Sequence, residues 1–144
     1  MDEAADNFAV LQGEVEGHPV IAVLNRQSIS AERKKRTPWF VSIVTFFETT
    51  GAQGMPPTED VLDLSAWENR LHGIITAACP NAVYVGRVTG NGQRELMYYV
   101  EEPDAVINVL EGAEPQEPRP FSFQVRIDDD WSEVSAYIEA IQPT

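Results

Sequence analysis

Cysteine is nearly missing from this 144-residue chain: Cys79 stands alone, so no intramolecular disulfide and no cysteine-rich metal centre can form. That usage suits a reducing compartment. Histidine is almost as scarce, and His18 and His72 show no metal-ligand spacing. Basic side chains number 10 against 23 acidic ones, a formal charge of −13. Such a surface repels nucleic-acid phosphates and favours solubility or a basic partner. No apolar run approaches transmembrane length, and the opening MDEAADNF is acidic where a secretory signal needs positive charge before an apolar stretch. The expectation is a cytoplasmic protein without a membrane span. Internal repeats and low-complexity tracts are also lacking.

Strand-forming sequence is plentiful. Its clearest unit is residues 82–100, two apolar runs around Asn91-Gly92, a pair suited to the positive φ angles of a type I′ turn. With Gly90 opposite Gln93, the expected ladder sets Gly86 against Met97 and Tyr84 against Tyr99 on one face, with Val85 against Tyr98 on the other. Residues 7–16 and 19–24 read as an N-terminal hairpin behind a frayed acidic tail at 1–6, and WFVSIVTFFE at 39–48 reads as a central strand. A polar connection before it carries Arg33-Lys34-Lys35-Arg36.

Past the Gly54-Met55-Pro56-Pro57 loop, Thr58 is the expected N-cap of a helix over 59–78. Its apolar stripe is Val61, Leu64, Leu71, Ile74, Ile75 and Ala78, with Trp67 on the flank. A second helix starts at Pro103, buries Val106, Ile107 and Leu110, and stops at Gly112. On a last strand Phe121, Phe123, Val125 and Ile127 alternate inward, after which Asp130 and Glu133 make a capping box for a helix over 130–142 bearing Val134, Tyr137, Ile138 and Ile141.

Strand-helix-strand-strand-helix-strand over 39–127 is the split βαβ order of ferredoxin-like domains, so the expectation is a single α+β domain with a mostly antiparallel sheet, extended by the hairpin and the last helix. Right-handed crossovers place both middle helices on one sheet face and the 121–127 strand beside the 39–48 strand. The other face is then covered by the hairpin, by the last helix or by a second subunit.

Gly17 and Pro19, the Gly54-Met55-Pro56 loop before an acidic helix, Val85-Gly86-Arg87-Val88-Thr89 followed by Arg94 and Tyr99, and Asp128 with Trp131 together resemble a bacterial family known as domain of unknown function 695. That family is more distantly similar to regulator of ribonuclease E activity B, an acidic ferredoxin-like protein that acts by binding its enzyme. The resemblance implies protein binding without catalysis, and no catalytic residue is carried over.

The residues themselves offer little chemistry. Cys79 ends a helix, where the dipole disfavours a thiolate. Asp128-Asp129-Asp130 lacks the spacing of a calcium loop and reads as a strand exit plus cap. Thr89-Gly90-Asn91-Gly92 precedes a strand rather than a phosphate-holding helix. Neither a catalytic residue nor a metal or cofactor site is expected. The leading reading is a regulatory or adaptor module that binds a protein through its acidic surface or open sheet face, with Tyr84, Tyr99, Met55 and Trp131 as exposed anchors. A second reading is a small-ligand site or enzyme joining the Gly54 loop, Arg94 and the Asp128 region; separate locations for these would remove it. RNA binding through Lys34, Lys35 and aromatics on the open face ranks below both, and a homodimer stays open.

Overall fold

A computed structural model describes residues 8–25, 35–47 and 54–140, with the side chains of Phe8 and 137–140 left out. The acidic tail, Arg33, Lys34 and the stripe positions Tyr137, Ile138 and Ile141 lie outside these limits. Within them run β1 (Phe8–Val15), β2 (His18–Asn25), β3 (Trp39–Phe46), α1 (Thr58–Ala78), β4 (Val83–Gly90), β5 (Gln93–Val100), α2 (Pro103–Ala113), β6 (Ser122–Ile127) and α3 (Ser132–Ala140). The fold is α+β, a six-stranded sheet ordered β1-β2-β4-β5-β3-β6 in which every neighbouring pair is antiparallel.

Two hairpin turns set this register. Glu16 and Gly17 have φ of 53° and 83°, Asn91 and Gly92 of 53° and 77°, the left-handed pairs that match the twist of the flanking strands. As expected, β6 lies beside β3, with Val41 opposite Val125. The expected ladder of β4 and β5 holds from Gly90–Gln93 to Gly86–Met97 and then slips: a bulge leaves Tyr84 opposite Tyr98 and Val83 opposite Tyr99. Because side chains alternate with period two, one inserted residue moves Tyr84 to the face opposite Tyr99. Gly86 permits the bulge, since a Cβ there would stand 2.2 Å from the Val23 carbonyl oxygen on β2.

One face packs under α1 and α2: Val41, Ile43, Leu96, Tyr98 and Val100 meet Trp67, Leu71, Ile75, Val106 and Leu110. Trp67 is central rather than flanking, and Val61 is 43% exposed, because the buried stripe runs through Leu64, Trp67, Leu71 and Ile75. Thr58 is the first helical residue and gives no side-chain cap; Pro57 holds the cap position. Helix α2 continues through Gly112 to Ala113.

The second face joins Val20, Ala22, Leu24, Phe40, Val85, Val88, Met97 and Tyr99, covered by Val134 of α3 and by Trp131 just before it. The N-terminal hairpin instead widens the sheet beyond β4. Asp128, not Asp130, caps α3: its carboxylate accepts from the Ser132 amide at 3.0 Å, the Ser132 hydroxyl at 2.7 Å and the Glu133 amide at 2.9 Å. Ile127, expected inside, is 55% exposed on the outermost strand. Among the described residues no helix is long and apolar enough to cross a membrane.

Candidate functional site

Beneath α1 the sheet carries charge that must be paired within a mostly apolar layer. Glu68 faces inward from the helix, accepting a hydrogen bond from the Tyr84 hydroxyl at 3.0 Å and from Arg87 Nη1 at 3.0 Å. Arg94 Nη1 approaches it at 3.4 Å while Arg94 Nε donates to Thr89 Oγ1 at 2.9 Å. Burial first, then the neighbouring Arg87, lowers the Arg94 pKa, against the pull of Glu68. Burial and then Glu68 push the Tyr84 and Tyr98 hydroxyls far above the ordinary tyrosine range. His72 Nδ1 lies 3.0 Å from the Tyr98 hydroxyl. Glu68 thus pairs with two guanidiniums, Arg87 and Arg94, across the helix-sheet seam.

Above that layer lies an apolar groove of about 510 Å³ between α1 and α2. Arg70 and Ile74 form one wall, Val109, Gly112 and Ala113 the other, and Gln116 and Glu117 close one end. The Arg70 guanidinium pairs with Glu117 through two bonds of 2.8 and 2.9 Å, so the lining charges cancel. Outside the groove, Asp104, Asn108 and Glu111 recur at i, i+4 and i+7 along the exposed side of α2, whereas Ala66, Asn69, Gly73 and Ala77 form an uncharged exposed line on α1. Gly73 and Gly112 have nothing within 4 Å of where a Cβ would stand.

The chain matches the family of unknown function DUF695 over residues 6–138. It belongs to that family. No curated protein and no solved structure matches it.

In this DUF695 protein the residues expected to anchor a partner separate. Tyr99 and Trp131 are fully buried, stacked at 4.1 Å between ring centroids, so neither is exposed. Tyr99 donates to Asp128 at 2.7 Å, and Trp131 Nε1 donates to the Thr37 carbonyl at 2.9 Å. The reason is α3, one of the three covers expected for that face, which closes it. Tyr84 is half-buried on the opposite face, so the two tyrosines form no common stacking platform. Met55 is half-buried in its loop. Gly54 rests on the β4–β5 turn, accepting from the Gly92 amide at 3.0 Å, and a Cβ would meet the Asn91 nitrogen at 2.9 Å. That loop therefore shares an end of the sheet with Arg94, which is itself only 7% exposed. Asp128 follows Ile127, which pairs with Trp39 at the other end of β3, so the three places proposed for a ligand site do not converge.

Burial, more than any neighbouring charge, raises the Cys79 pKa, with Glu102 adding to it. No group of three His, Cys, Asp or Glu side chains gathers as a metal site among the described residues. Sequence reading passed over Glu68, Arg87 and the α1–α2 groove. The detectable signal was charge at inward positions: Glu68 follows a buried Trp67, and Arg87 stands mid-strand opposite Leu96.

Proposed function

We propose that this DUF695 chain is a non-enzymatic regulatory or adaptor module whose docking surface for another protein is the outer side of its helix layer. The observation that carries this reading is the apolar α1–α2 groove with the polar and charged Arg70, Gln116 and Glu117 at its edge. An apolar floor beside a polar, charged rim is the composition of a protein interface, and a −13 chain draws a basic partner by long-range attraction. The order of β3-α1-β4-β5-α2-β6 and their sheet positions support a ferredoxin-like reading of residues 39–127. The family's distant resemblance to regulator of ribonuclease E activity B, read from the sequence alone, points to the same class of function.

The test compares proteins retained from a bacterial lysate by the immobilised wild-type chain and by Gly112→Leu. Species that wild type holds at low salt, that elute as salt rises and that Gly112→Leu fails to hold are the expected result. Equal retention by both chains contradicts the assignment of the groove.

A further inference from the structure

Beyond the residues packed with Trp131 and Val134, the second sheet face turns from apolar to polar. Two positions on from Phe40 and Met97, and on the same side of their strands, stand Ser42 and Glu95. With Val44, Gln93, Ser122 and Gln124 from the same three adjoining strands they line a cleft of about 240 Å³. Ser42 and Glu95, each 9% exposed, form its base, where the Ser42 hydroxyl donates to Glu95 Oε2. Ser122 and Gln124 are exposed at its rim. Glu95 is the one ionisable group in this lining. Nearby, Arg126 Nη1 donates to Gln124 Oε1 at 2.9 Å while Nη2 pairs with Glu133 at 2.7 Å, which ties that arginine toward α3. Next to Val44 on the same side of β3 comes Phe46, opposite Gln93 and 66% exposed.

We infer that this cleft binds a primary alkylammonium group, with its nitrogen at Glu95 and its alkyl stem along Val44 toward Phe46. An ammonium carries three donors and no acceptor, and a carboxylate, two hydroxyls and the Gln93 amide carbonyl are acceptors on several sides of one point. A guanidinium is less suited. Its planar fork engages both oxygens of a carboxylate, and at Glu95 the Ser42 hydroxyl holds Oε2. The volume matches the share of about eight waters in the liquid, enough for a head group and short stem rather than a drug-sized molecule. Strands set the side chains in place, so little ordering is left for binding to impose. A chain of charge −13 also draws cations toward the cleft. The same chemistry occurs in free alkylamines and in the lysine side chain of a protein.

Butylamine at neutral pH, titrated into the full chain and followed by amide chemical shifts, is the first probe. Saturable shifts at Ser42, Glu95 and Gln124 are expected, with a dissociation constant on the order of millimolar for so small a ligand. Butylguanidine should bind at least fivefold more weakly, and tetramethylammonium, butanol and magnesium chloride should leave these residues unmoved. Glu95→Gln keeps the shape and removes the charge, and should weaken butylamine at least tenfold. Ser122→Leu, at an exposed rim position, should weaken it by narrowing the cleft, so the test survives if Glu95→Gln fails the thermal-unfolding check of its fold. Putrescine and a short peptide with one central lysine separate the sources: tighter binding of the peptide assigns a protein side chain, tighter binding of putrescine a free amine, and either upholds the ammonium. Equal shifts in wild type and both variants, the mark of general attraction to an acidic chain, would overturn the site. Tetramethylammonium or magnesium reproducing the butylamine shifts would overturn the hydrogen-bonded ammonium.

Discussion

The two faces of the sheet are closed by different means. Helix α1 is long, spanning Thr58–Ala78, and holds its place by burying Leu64, Trp67, Leu71 and Ile75. Each such side chain stabilises by about 1.5–3 kcal/mol relative to exposure, so position needs little polar guidance. Trp67 Nε1 indeed finds no hydrogen-bond partner among the described residues. Helix α3 is short, Ser132–Ala140, and brings Val134 and the preceding Trp131 to the core. Polar bonds define its place. Asp128 binds its first turn and Tyr99, Trp131 Nε1 reaches Thr37, and Trp131 adopts φ of 55°, an uncommon backbone region for an aromatic residue that surrounding contacts must hold. A short element with little area to bury is located by directional bonds, and the aromatics used there are unavailable to a partner.

Trp131→Ala should break the contrast most severely, costing about 3–5 kcal/mol in chemical denaturation by cavity formation and release of α3. Close behind, Glu68→Ala should destabilise by about 3 kcal/mol, because Arg94, with 9% of its side chain exposed, is left without its carboxylate.

Asp128→Ala removes a cap and the partner of Tyr99, an expected loss of about 1–3 kcal/mol. Its pH dependence has a definite sign. Burial raises the Asp128 pKa, but the hydrogen bonds from the Glu133 amide, Tyr99 and Ser132 outweigh it and leave the carboxyl below its ordinary value. A depressed folded-state pKa stabilises above the unfolded value, and that stability is lost as pH falls through it toward the folded value. The stability gap between wild type and Asp128→Asn should therefore shrink as pH drops below about 4. A constant gap would contradict the arrangement.

Two conservative changes sharpen the comparison. Trp67→Phe discards an unbonded buried N–H and should cost less than Trp131→Phe, which loses a hydrogen bond of about 1 kcal/mol besides. Smallest of all, Gly112→Ala should raise stability by up to about 1 kcal/mol, since α2 has open space for the methyl group.

Element type and order were legible because periodicity and punctuation coincide: Asn91-Gly92 marks its turn, Pro103 opens α2, and Phe121, Phe123 and Val125 alternate. The Tyr84 face was not, because a bulge depends on the approach of β2 to Gly86, a contact distant in sequence. The cap of α3 was hidden for a similar reason: Asp128 and Asp130 look alike in sequence, and only Tyr99, contributed by β5, distinguishes them. Burial of Trp131 likewise depends on Thr37, far along the chain. The α1–α2 groove escaped notice because a space between two helices has no local pattern, although Gly73 and Gly112 sit within helical stretches where glycine is costly.

Amide and methyl chemical-shift mapping with a protein that the chain retains from lysate tests most directly whether the helix layer binds while the opposite face serves the fold. Perturbations should concentrate at Ile74, Val109, Gly112 and Gln116, leaving Met97, Tyr99 and Trp131 unmoved. Shifts centred on the Tyr99–Trp131 face, with the α1–α2 groove silent, would contradict the account.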